Sequence, residues 1–121
     1  MPRPTGPTNA ETIKLLNELE RAGRVHGARI WLAVAEKIRR PRRKRVEVNV
    51  WKINKLTREG DVVVVPGKVL GDGVIRKAVT VAALSFSKRA EEKIRAAGGR
   101  VLSIGELIGE RPRGSGVKIV C

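Results

Sequence analysis

The chain has 121 residues, of which 26 are Lys or Arg and 12 are Asp or Glu, so its formal net charge is +14. At 41% apolar and 31% charged it falls in the globular range, long enough for a single domain with a buried core. One Cys and one His exclude an intrachain disulfide, a thiolate zinc site and a His-pair metal site, while the charge makes a polyanion the first partner to consider.

In chain order, residues 1–8 hold three prolines and a glycine around Arg3 and cannot pack as helix or strand. They read as a flexible basic arm ahead of one globular domain over 9–121. This start has no apolar core of a secretory signal, which points to the cytoplasm. Thr8 and Glu11 have capping-box spacing, and Ile13, Leu16 and Leu19 then recur on one helical face. Gly23 is the expected stop, which leaves His26 in a polar loop from Arg24 to Arg29. A second helix carries Ile30, Trp31, Val34, Ala35 and Ile38 as its apolar stripe and ends at Arg40, before Pro41. Its longest apolar run, Ile30 to Ala35, is too short to span a bilayer.

The period then changes. Val46, Val48 and Val50 alternate with polar residues as in a half-buried strand, and 51–57 suits a short helical turn. Four β-branched residues, Val62 to Val65, predict a strand covered on both faces, ended by Pro66-Gly67. Strand character returns over Val74 to Ser85. Ser87 caps a helix through Ala90, Ile94 and Ala97 that Gly98-Gly99 stops. A brief strand at Val101 and Leu102 precedes a second capping box, Ser103 with Glu106. A basic glycine-containing loop, 112–116, leads to the last strand at Val117 to Val120.

The densest chemical signal is Lys37-Ile-Arg-Arg-Pro-Arg-Arg-Lys-Arg45, with seven basic residues in nine and no acid. Arg offers a planar fork of donors that matches phosphate oxygens, and Pro41 limits the conformations lost on binding. Lys37, Arg39, Arg40, Arg42, Arg43, Lys44 and Arg45 are therefore candidate phosphate contacts. The same letters also suit a nuclear-import signal. Arg3, Lys52 and Lys55 are further candidates, as are Lys68 and Arg113, whose neighbouring glycines let backbone amides approach a phosphate.

Aromatic residues make up 2% of the chain, too few for a row of stacking platforms, so folded RNA or duplex read through its backbone is the implied target. Trp31 and Phe86 suit the core, and packing is also the expectation for Trp51. The stretch Gly67 to Gly73 fails as a phosphate-binding P-loop because its Lys follows the first glycine rather than the last. No nucleophile–base set can be assembled around His26, and no catalytic residue, cofactor or metal is assigned. The residues thus leave three readings: a constituent of a ribonucleoprotein, a free-standing chromatin-type nucleic-acid binder, and a small nucleotide-binding enzyme.

A family resemblance separates them. Arg45-Val-Glu-Val-Asn49, Glu59-Gly-Asp-Val-Val-Val-Val-Pro-Gly-Lys-Val-Leu-Gly71 and Val79-Thr-Val-Ala-Ala-Leu-Ser-Phe-Ser87 resemble the archaeal and eukaryotic ribosomal protein eighteen of the large subunit. Ala97-Gly98-Gly99, Leu102-Ser103-Ile104 and Pro112-Arg-Gly114 extend the resemblance towards the end of the chain. It implies a non-enzymatic constituent of the large ribosomal subunit, in the cytoplasm, bound to ribosomal RNA beside other large-subunit proteins, with no membrane or small-molecule substrate. It also implies a mixed α/β fold, an irregular superhelix of β-β-α units preceded by N-terminal helices, shared with bacterial ribosomal protein fifteen. The family's basic stretch corresponds to Arg39 to Arg45, and its proline-glycine-lysine turn to Pro66 to Lys68.

Overall fold

The structure, a computed structural model, describes residues 9–39 and 46–121. The arm expected at 1–8, the cap expected from Thr8 and the basic residues 40–45 lie outside the described residues. Helix α1 spans Asn9–His26 and α2 spans Arg29–Ile38, with Arg39 as its cap. The expected stop at Gly23 is corrected. Gly23 is buried where α1 meets α2, and a Cβ there would come within 2.7 Å of the Leu32 side chain. It is a packing glycine, and the helix ends at Gly27, whose φ is +62°. His26 is therefore the last helical residue, not part of a loop. Leu15, Leu16 and Leu19 turn towards the core, whereas Ile13 is left exposed.

Strand β1 (Val46–Asn49) leads directly into helix α3 (Val50–Leu56), and β2 covers Val62–Leu70. Strand β3 (Thr80–Phe86), helix α4 (Lys88–Ala96) and strand β4 (Arg100–Ser103) follow. Helix α5 (Ile104–Glu110) and strand β5 (Val117–Ile119) complete the chain. Ser87 accepts from the Ala90 amide, and Ser103 with Glu106 forms a complete capping box, as their spacing predicts.

Every strand pair is parallel, so the strands' carboxyl ends lie along one rim. The order is β1-β2-β3-β4, and β5 shares the edge of β2 with β1. β5 takes Val62 to Val64, and β1 takes Gly67 to Leu70. Pro66 and Gly67 fall where one partner gives way to the other. The register with β3 also shifts between Val65 and Lys68. The amide that proline lacks is thus placed where the ladder is interrupted, and the strand continues instead of ending. Residues 74–79 form no strand, and β3 begins only at Thr80.

The valine run faces both ways, as predicted. Val62 and Val64 pack with Leu19, Trp31, Val34 and Ile38 from α1 and α2 and with Leu107 from α5. Val63 and Val65 pack with Ile53 of α3 and with Ala90 and Ile94 of α4. Each fully buried valine contributes about 1.5 kcal/mol or more relative to an exposed one. The expected mixed α/β architecture, with N-terminal helices ahead of β-α units, is the one observed.

Candidate nucleic-acid interface

Sheet register brings cations together at the carboxyl rim. Lys68 lies exposed near the end of β2, level with Glu47 of β1 and Ser85 of β3. The Ser87 amide donates to the Val69 carbonyl at 2.9 Å, which sets the start of α4 beside that end. Lys88 and Arg89, both exposed, occupy its first turn, and the backbone of Gly71 runs against Arg89. Helix α2 ends with Lys37 and Arg39, and residue 46, where the basic segment reaches the sheet, pairs with Gly67. Lys37, Lys68, Lys88 and Arg89 make no side-chain hydrogen bond or ion pair with another described residue.

Sequence reasoning misses Lys88 and Arg89 because they stand apart from the dense run. They also occupy a helix N-terminus, where cations are electrostatically unfavourable. That misfit is the signal that can be read without coordinates.

Other candidates are engaged within the fold. Arg39 pairs with Glu20 of α1 and, at 3.5 Å, with Glu36. The basic run is thus relieved by acids at its leading edge, although it holds none itself. Lys52 donates from Nζ to the carbonyl of Cys121 at 2.8 Å. Lys55 is exposed one turn beyond Trp51. The glycines beside Lys68 and Arg113 serve close packing: a Cβ would strike the Val46 backbone at Gly67 and the Ile30 side chain at Gly114.

Arg113 lies at the opposite end of the sheet, away from Lys68. It lines an open cleft of roughly 600 Å³ with His26, Glu110, Arg111, Pro112 and Ser115. Arg100 reaches Glu110 at 2.7 Å, and Lys118 reaches Asp61 at 2.9 Å. The Asp61 carboxyl is held below its usual range chiefly by the Arg58 backbone N–H, with Lys118 adding to the effect.

The glycine turn at 71–73 is also built inward. Lys93 donates from Nζ to the carbonyls of Gly71 and Gly73, each at 2.6 Å, and Asn49 accepts from the Asp72 amide at 3.1 Å. A loop whose carbonyls are gathered around an ammonium group is the reverse of a phosphate cradle. Among the described residues no His, Cys, Asp and Glu cluster could hold a metal ion, and no helix is long and apolar enough to cross a membrane.

Comparison with known proteins gives this surface its context. Residues 25–102 match the family model that describes ribosomal proteins 50S-L15 and 50S-L18e together with their 60S counterpart. The chain is similar to the large ribosomal subunit protein eL18 of Pyrobaculum aerophilum, at 52% identity over 98% of both chains. It is similar to that of Methanopyrus kandleri at 51% identity, covering 97% of this chain and 96% of the relative. With eL18 of Archaeoglobus fulgidus it shares 48% identity over 93% of this chain and 97% of the relative. Kinship of this extent across a fold with no assembled catalytic set leads to one conclusion: the chain belongs to this family of ribosomal proteins, which are not enzymes.

Proposed function

We propose that the chain is a structural constituent of the large ribosomal subunit in the cytoplasm, and that it binds large-subunit ribosomal RNA through its Arg/Lys surface. Full-length similarity to large-subunit proteins supports the first part. The observation that carries the second is the carboxyl rim, where Lys68, Lys88 and Arg89 have no acid partner among the described residues. Unrelieved like charge destabilises a free protein and favours a polyanion that releases its counterions on binding.

In this reading Arg40, Arg42, Arg43, Lys44 and Arg45 extend the rim, with Lys37 and Arg39 behind them. Arg3, Lys52, Lys55 and Arg113 supply contacts away from it, and neighbouring large-subunit proteins complete the surroundings. Phosphate contacts position the chain, and the RNA's own fold supplies the specificity.

The test has two arms. In magnesium-containing gradients the chain should sediment with large subunits and stay with them in moderate salt; recovery only as free protein or on DNA would overturn the ribosomal role. Neutralising Arg42, Arg43 and Arg45 together should weaken RNA binding and flatten its dependence on salt, by somewhat less than about one log–log unit for each phosphate released. An unchanged slope would take the segment out of the interface.

A further inference from the structure

Trp51 is not a core residue: 48% of it is exposed, while its neighbours Val50 and Ile53 are fully buried. Its backbone N–H donates to the Asp72 carbonyl at 3.2 Å. Gly73, with φ +89°, lies flush against the side chain's root, where a Cβ would collide with Trp51. The turn beneath is held in its own right by Lys93. An exposed indole mounted this firmly loses little freedom when something is laid on it.

Its surroundings are mostly cationic. Lys55 is one helical turn along the same face of α3, exposed and without a partner among the described residues. The Arg76 amide donates to Asn54 at 3.1 Å, which sets this exposed residue beside the same helix. Arg89 flanks the far side of the 71–73 turn, and Asp72 is the acid within it. The exposed Val74 widens the apolar patch.

We infer that Trp51 is a stacking surface for one unpaired nucleobase, with Lys55 and Arg76 on the adjoining phosphates. This rests on the RNA-binding reading and adds a contact that duplex RNA cannot make, because its bases are already stacked on one another. Stacking of a base on an aromatic side chain is a substantial, sequence-tolerant contribution, and every base offers a π-face.

The experiment compares single-stranded poly(rA) with the poly(rA)·poly(rU) duplex, using the full chain at low salt. Trp51 emission should be quenched by the single strand and not by the duplex, and the quenching should vanish in Trp51→Phe, which keeps the buried Trp31 as reference. Trp51→Ala should bind the single strand about tenfold more weakly with duplex affinity unchanged, and Trp51→Phe should recover part of the loss. Equal behaviour towards both polymers, or an indole still open to acrylamide at RNA saturation, would overturn the inference and leave Trp51 for a protein neighbour. If neither polymer shows salt-dependent binding to the unaltered chain, it is the RNA-binding reading that fails, a distinct result.

Discussion

The backbone of Gly67 passes so close to Val46 that a methyl group on Gly67 would overlap the Val46 carbonyl oxygen. These two residues open the pairing of β1 with β2, at the point where the basic segment reaches the sheet. The obstacle is backbone, so no side chain can swing aside to make room. Gly67→Ala should cost about 3 kcal/mol, lowering Tm by on the order of 10 °C in thermal unfolding. A loss below about 1 kcal/mol would mean that β1 shifts freely at this point.

Lys88 and Arg89 set stability against binding. They sit in the first turn of α4, where the helix dipole favours acids, and Glu91 alone supplies one. Replacing both with Gln should stabilise the free protein by about 0.5 kcal/mol or slightly more. The same variant should bind RNA more weakly, with a salt slope reduced by less than about two units. Greater stability with unchanged RNA affinity would remove the pair from the interface.

Local signals in the sequence are reliable wherever neighbouring residues decide the outcome. The caps at Ser87 and Ser103 and the doubly buried Val62 to Val65 are of this kind. Non-local contacts decide the rest. Gly23 and Gly27 look alike in the chain, and only the packing of Leu32 against Gly23 separates a crossing from a stop. Pro66-Gly67 is a strong local stop, overridden because β5 and β1 divide one edge of β2 around it. The RNA-facing candidates meet the same limit. The dense basic run is visible in the letters, while the grouping of Lys68 with Lys88 and Arg89 exists only through the β2–β3 register. Packing is the natural expectation for Trp51, because a tryptophan between strand and helix is commonly buried. The turn of α3 that buries Val50 and Ile53 points it outward.

Two exposed carboxylates make stability depend on acid. Asp61 accepts from the Arg58 backbone N–H at 2.8 Å and from Lys118, and Glu106 accepts from the Ser103 backbone N–H at 2.9 Å. Both carboxyl groups are held below their usual range, Glu106 mainly by that Ser103 bond. Their ionised forms bind protons less readily in the folded chain than in the unfolded one. Their contribution is therefore complete above the unfolded range, about pH 4, and is lost as pH falls through the lower folded values. The double variant Asp61→Asn, Glu106→Gln should be less stable near neutral pH and should lose stability less steeply below about pH 4. Urea midpoints across that range measure it, and parallel curves for the two proteins would refute the assignment.

The two tryptophans should answer the same substitution differently. Trp31 is fully buried between α2 and the 112–116 loop, and its indole Nε1–H donates to the Pro112 carbonyl at 2.7 Å. Trp31→Phe removes that donor, leaves a partly buried carbonyl without its partner and opens space in the core. The expected cost is about 2–3 kcal/mol in denaturant unfolding. Because the Pro112 anchor precedes β5, amide exchange at Val117 to Ile119 should quicken more than in β3. Trp51→Phe, at an exposed position, should change stability by less than about 0.5 kcal/mol. If the two variants unfold alike, the Pro112 bond does not anchor the C-terminal strand, and β5 is held by its pairing with Val62 to Val64 alone.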